Sequence, residues 1–247
     1  MRIGNILNFQ DLENSIKNTD IIFHFAALAD LDEALHKPIE TVTNNILATV
    51  SILELSKKYN IKRIIYASSI YSMSLQGGFY RCSKKAAEDY IEEYYKRYGL
   101  NFTILRYGSL YGPRAQHWNG LNSFITQIVQ NGKLEYFGTG EEKREYIHVE
   151  DAARASVTAL GEDFRNQSVI LTGQETMRVK DLLKMLSEIL GISQDPRFIE
   201  AELHGHYIRT PYAYQPKLGR KYVPPIHVDL GQGLLQLIEE VQKNTLK

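Results

Sequence analysis

One cysteine, Cys82, stands among 247 residues, so no disulfide can close within the chain. An excess of one charge is lacking as well: 29 Lys and Arg balance 29 Asp and Glu. A chain of formal net charge zero has no overall field to draw it onto nucleic acid or an anionic membrane, so an anionic ligand must be held by local groups. No stretch approaches the roughly 18 uninterrupted apolar residues of a membrane span, and the opening residues lack the apolar core of a secretory leader. A reducing cytoplasm is the expected location. Of seven histidines only His204 and His206 lie close together, with no third ligand nearby. Zinc sites need three or four ligands, so no metal is expected. Repeats and low-complexity tracts are absent too.

The composition that remains, 43% apolar and 23% charged, is that of an ordinary globular chain. It fits one domain, or one domain with a small lobe. The most informative stretch is Tyr80-x-x-x-Lys84, which opens a segment whose apolar positions Ala87, Tyr90, Ile91, Tyr94 and Tyr98 repeat with helical spacing. Residues four apart share a helix face, so the ammonium can sit beside the phenol. A free phenol has a pKa near ~10, and a neighbouring cation lowers an acid's pKa by roughly 1–3 units. The pair therefore makes a plausible proton-transfer device, with Lys84 expected to lower the Tyr80 pKa. Just before it, residues 62–69 form a short apolar run ending in Ala67-Ser68-Ser69, as expected of a buried parallel strand whose carboxyl end opens onto a site.

Strand, Ser69, loop, Tyr80, turn, Lys84: this order resembles the extended short-chain dehydrogenase/reductases, in particular the nucleotide-sugar epimerase group of the NAD-dependent epimerase/dehydratase family. The likeness extends along the chain. Gly4-Asn5-Ile6 and His24-Phe25-Ala26-Ala27 are similar to family segments that meet the dinucleotide, with Asn5 where an acid usually stands. Asn45-Ile46-Leu47-Ala48-Thr49 resembles a helix segment whose Asn supports the active-site strand. Leu105-Arg106-Tyr107-Gly108-Ser109-Leu110-Tyr111-Gly112-Pro113-Arg114 resembles the loop between nicotinamide and substrate, with Ser109 in place of the common Asn. Arg144-Glu145-Tyr146-Ile147-His148-Val149-Glu150-Asp151 resembles the segment whose Arg grips the substrate diphosphate. A guanidinium suits that task because its fixed fork binds phosphate oxygens bidentately at any working pH.

The resemblance implies an α/β fold: an N-terminally truncated, Rossmann-like doubly wound parallel sheet with a small C-terminal α/β substrate lobe. Residues 1–165 would form the dinucleotide-binding and catalytic part, with excursions to the lobe around 115–145, and 166–247 mainly the lobe. It assigns Ser69, Tyr80 and Lys84 to catalysis. Asn5, Ile6, Ala26, Ala27, Leu28 and Tyr107, with Tyr80 and Lys84, would bind NAD or NADP. Asn45, Ser69, Ser109, Leu121 and Arg144 would bind a nucleoside-diphosphate sugar. It further implies a homodimer through helices at 39–59 and 80–98, and places Tyr212, Tyr214 and Lys217 where the sugar is selected. By the same likeness, Tyr80 removes a hydroxyl proton while the nicotinamide takes hydride from the same carbon, which leads to epimerisation or to simple oxidation and reduction. Family 4,6-dehydratases carry Asp-Glu directly after the active-site Ser or Thr; Ile70-Tyr71 here argue against water elimination by that route.

Residue patterns add further expectations: helices over 11–18, 39–59, 121–130, 179–190 and 230–242, strands over 20–27 and 169–172, and Asp151 as a helix N-cap. Val42, Ile46, Val50 and Leu53 should face the core of the long helix, joined by Ile52 and Leu55. No strand, Gly-rich turn and helix able to bind a pyrophosphate precede Gly4. Without a strand beside it, 21–25 should form an exposed apolar edge. Two readings follow: an enzyme complete only with such units, and a non-catalytic truncated homologue or partner subunit that binds a nucleotide sugar or another chain.

Overall fold

Asn8 starts the first regular element, its side chain accepting hydrogen bonds from the backbone of Gln10 and Asp11 at the head of helix α1 (Phe9–Ile16). The computed structural model describes residues 3–173, 176–192 and 195–199. After α1 come β1 (Ile21–His24), α2 (Leu31–His36) and one long helical stretch made of α3 (Pro38–Val42), a π-helical turn (Thr43–Leu47) and α4 (Ala48–Lys58). Next are β2 (Arg63–Ser69), a short 3-10 turn (Ile70–Met73), α5 (Gly78–Tyr98), β3 (Phe102–Tyr107) and β4 (Ser109–Tyr111). There follow α6 (Gly120–Asn131), β5 (Glu135–Phe137), β6 (Lys143–His148) and α7 (Val149–Thr158). The last described elements are β7 (Gln167–Leu171), β8 (Thr176–Arg178), α8 (Val179–Ile189) and β9 (Arg197–Ile199).

The main sheet is parallel throughout, in the order β1-β2-β3-β7. Alternation along its strands divides the core. Ile64, Tyr66, Phe102 and Ile104 face α1, α4 and α5, meeting Ile16, Ile52, Leu53, Ala87 and Ile91. Ile65, Leu105 and Tyr107 face the other way, onto Ala152 and Ala159 in and just after α7. A separate cluster joins α6 to α8 through Leu121, Ile128, Leu183 and Leu186. Two small sheets, β4-β6-β8 and β5-β9, lie with these later elements.

β1 is an edge strand, and Ile21, Phe23 and nearby Phe25 are exposed, the two phenylalanine rings stacked 6.0 Å apart. That agrees with the expectation from the sequence. At the other end of the sheet's second strand, buried Arg63 spreads its guanidinium over Thr103 Oγ1 and the carbonyls of Ala159, Leu160 and Gly161, which follow α7.

Two expectations are corrected. The apolar stripe of the long helix is displaced: Val42 is exposed, and the buried line runs through Thr41, Asn45, Ala48, Thr49, Ile52 and Leu53. The π turn adds one residue to a helical turn and shifts the phase of everything before it. The cap of α7 is His148, which accepts from Glu150 N–H, so Asp151 belongs to the first helical turn and pairs with Arg154 instead. The expected helix over 230–242, Tyr212, Tyr214, Lys217 and the His204/His206 pair lie outside the described residues. Among the described residues no helix is long and apolar enough to cross a membrane.

Candidate active site

The site is built where strand ends meet a helix start. β2 delivers Ser69 at its last position, and the chain turns back through Gly77 and Gly78 into α5. Both glycines have positive φ, 111° and 52°. A Cβ on Gly77 would come within 2.7 Å of the Tyr71 ring, so only glycine allows this close return. α5 then presents Tyr80, Lys84 and Glu88 one turn apart on its inner face, all buried.

Lys84 Nζ donates to the Ala67 carbonyl at 2.8 Å. It also lies 5.0 Å from the Tyr66 ring centre and 5.7 Å from that of Tyr80. Both groups are shifted by burial. The Tyr80 phenol is pushed up to about 12, a hydrogen bond with Ser69 pulling the other way. The Lys84 ammonium is brought down to about 8, opposed by the Glu88 carboxylate. The expectation that Lys84 would leave Tyr80 with a lowered pKa therefore meets a stronger effect: both groups have lost their hydration, which disfavours the charged form of each.

A cavity of about 750 Å³ opens at the carboxyl ends of β1, β2 and β3. That is where parallel sheets of this kind hold ligands, and its size is within the usual range for ligand pockets. Ala27, Ser69, Tyr80, Lys84, Tyr107 and Gly108 line it. An adjoining cavity of about 340 Å³ is lined by Ser109, Leu121, Tyr136, Arg144 and Tyr146. Tyr71, Leu110, Trp118 and Asn119 border both.

The structure thus gathers most of the residues singled out in the sequence into two joined spaces, and leaves others elsewhere. Asn5 is exposed, its N–H bonded to Asp11 and its Oδ1 accepting from Leu7, while Ile6 packs against the core beside α1. Neither lines these two cavities, and nor does exposed Ala26. Asn45 is buried and fully engaged: Oδ1 accepts from Leu28 N–H at 2.7 Å, and Nδ2 donates to Leu28 O and Ser83 Oγ, both at 2.9 Å. It ties the loop after β1 to α5 and holds Leu28 in place. Tyr71, Trp118 and Asn119 were not foreseen. The only sequence signal for Tyr71 was its position two residues after Ser69, and Trp118 and Asn119 sat in an unpatterned polar loop.

The sequence profile of the NAD dependent epimerase/dehydratase family matches residues 1–173. The chain belongs to this family. Within it, a Methanocaldococcus jannaschii protein provisionally named a UDP-glucose 4-epimerase is 29% identical over 95% of this chain and 82% of its own length. The Thermotoga maritima UDP-glucose 4-epimerase, solved with UDP-glucose, superposes with a TM-score of 0.76 at 25% identity, covering 99% of this chain and 84% of that one. The Bacillus cereus UDP-glucuronic acid 4-epimerase, solved with UDP-glucuronic acid and NAD, gives a TM-score of 0.78 at 25% identity, covering 87% of this chain and 76% of that one. The family's Rossmann-type parallel sheet is accordingly the fold seen here.

The residues lining the larger cavity fit the nicotinamide end of such a dinucleotide. Ala27, Ala67 and Gly108 leave room for a flat ring, and Lys84 offers donors to a ribose beside Tyr80. Tyr107, whose hydroxyl is engaged with Ser156 Oγ at 2.6 Å, closes the wall.

His24 packs between this site and the helical stretch, its Nε2 3.0 Å from Thr49 Oγ1. Burial, with the Lys84 charge nearby, lowers its pKa from 6.5 to about 4. The folded chain therefore holds His24 neutral, and the stability this carries is complete above about pH 6.5 and lost as pH falls toward 4. The expected loss is about 3 kcal/mol. His24→Gln should flatten that dependence; denaturant midpoints at pH 4.5 and 7 check it, and equal losses in both proteins would contradict it.

Proposed function

We propose that this protein catalyses NAD(P)-dependent epimerisation, or oxidation and reduction, of a nucleoside-diphosphate sugar through Ser69, Tyr80 and Lys84. The observation that carries the reading is the convergence of buried Ser69, Tyr80 and Lys84 on one cavity while Arg144 lines the next. The sugar would lie at the junction and its diphosphate toward Arg144, whose fork suits phosphate oxygens. Ser109 and Leu121 complete that wall. NAD or NADP, when bound, supplies a hydride acceptor and, in oxidised form, a positive ring.

Ser69 orients the sugar oxygen, and Tyr80 carries the proton to or from it. With its pKa raised by burial even beside Lys84, Tyr80 holds its proton at neutral pH, and the further positive charge that an oxidised nicotinamide ring would bring favours its release. Lys84 would bind a ribose hydroxyl. With the cofactor bound, a ketone held by Ser69 and Tyr80 could be reduced on either face, the opposite face giving the epimer and the same face the starting sugar. Ile70, buried beneath the site, and Tyr71 at its mouth offer no carboxyl pair for water elimination.

β7 belongs to the main sheet, so we assign to substrate binding mainly the part of 166–247 that follows it, and a homodimer to the helices at 39–59 and 80–98, where Ile39, Leu47, Tyr90 and Tyr98 are exposed. The open, apolar β1 edge favours a second reading, a subunit that binds a nucleotide sugar and pairs with another chain. Titration with NADH, followed by nicotinamide fluorescence, and with UDP-glucose by calorimetry separates the two. Saturable binding of both supports the enzyme. UDP-glucose binding alone supports the subunit, and a folded chain that binds neither overturns both.

A further inference from the structure

Glu88 is the most deeply buried carboxylate near the site, and no step above uses it. It is 1% exposed, lies one turn beyond Lys84 on the inner face of α5, and is saturated with donors. Ser68 Oγ donates to Oε1 at 2.5 Å, Arg106 Nε to Oε1 at 3.0 Å and Arg106 Nη2 to Oε2 at 2.7 Å. Ser68 and Arg106 are direct register partners across β2 and β3. One helical side chain thus pins α5 to two neighbouring strands.

The register of this clamp matters because of what lies on either side. Ala67, before Ser68, accepts the Lys84 ammonium, and Ser69, after it, faces Tyr80. The same carboxylate also settles a charge question. Among the described residues, the ionisable groups facing Lys84 are His24 from β1, Tyr66 from β2, and Tyr80 and Glu88 from α5. His24 and the two phenols are uncharged near neutral pH. Glu88 is the one anion among them, and residues four apart on a helix are neighbours.

We propose that Glu88 is a positioning residue of this site: held by Ser68 and Arg106, it keeps Lys84 an ammonium directed at the space before Tyr80. Arg106, in a motif that points toward substrate, then serves as an internal partner of Glu88 and not as a ligand-binding cation.

The inference rests on Lys84 belonging to the site, but its test does not require turnover. The charge of Lys84 can be followed by NMR of lysine-labelled protein between pH 6 and 11, its signal assigned by its loss in Lys84→Met. In Glu88→Gln the Lys84 midpoint should fall by roughly 1 pH unit, and Glu88→Asp should restore most of it. If Glu88→Gln does not fold, Glu88→Leu combined with Arg106→Met removes the buried pair as a unit, a change cores often accept. The midpoint should fall there by less, because the Arg106 charge leaves with the carboxylate. A Lys84 midpoint unchanged from the wild type in whichever folded variant is measured overturns the proposal. Absence of turnover in the wild type, with the midpoint shift present, would refute the catalytic reading alone.

Discussion

Tyr80→Phe is expected to cut turnover of a nucleotide sugar by about 10²- to 10⁴-fold, the usual worth of a positioned acid–base group. The substitution removes one oxygen and keeps the ring, which packs edge-on against Tyr71 with centroids 6.3 Å apart. Ser69 loses a hydrogen-bond partner, but the cavity walls and Arg144 stay as they are. UDP-glucose affinity should therefore change little while kcat falls, the pattern of a group that acts in the transition state. Calorimetry and steady-state kinetics on the same preparation decide it. Turnover retained in the variant would remove Tyr80 from the mechanism, whereas parallel losses of affinity and rate would show a collapsed site.

Arg63→Met should destabilise the chain by about 3 kcal/mol without changing the kinetics of the proposed site. The guanidinium satisfies the Ala159 carbonyl and the Thr103 hydroxyl in the interior, and the Leu160 and Gly161 carbonyls nearer the surface. A methionine fills much of the volume but leaves these acceptors without donors, and each buried orphan costs about 1–3 kcal/mol. It also removes a cation from a helix C-terminus, where positive charge is favourable. For a chain of this size the loss corresponds to a drop in Tm of about 6–12 °C. Arg63 lies six residues before Ser69, or about 20 Å along an extended strand, so the site should not register the change. A melting temperature within a degree or two of the wild type would show that water replaces the lost donors.

Elements with a long, uniform pattern could be read directly from the residues. β2 and α5 follow from a continuous apolar run and a helical repeat, and with them came Ser69, Tyr80 and Lys84. The face of the long helix could not be read, because its inward positions are Thr41, Asn45 and Thr49. Asn45 is inside because Leu28 and Ser83 offer it partners, Thr49 because His24 does, and Thr41 because its hydroxyl turns back onto the Lys37 carbonyl. Glu88 escaped notice for the same reason: a carboxylate in a helix looks solvated until Ser68 and Arg106, 20 and 18 positions away, are brought beside it. The joined cavities were partly hidden too, since loops after three strands and one irregular segment contribute to them. Burial outweighing the neighbouring charge at Tyr80 is likewise a property of the assembled site and not of a four-residue spacing.

The π turn at Thr43–Leu47 makes the long helix one residue richer than a regular coil of the same path. Loss of a single residue there would let the hydrogen bonds close into an ordinary α-helix along nearly the same path. Thr41, now completely enclosed, would keep its place, and the deletion is severe only where it takes Asn45, which ties the loop after β1 to α5. In a lineage of such proteins, then, this turn is where the helix has a residue to spare, while the same event within α4 or α6 would turn everything before it by about 100°.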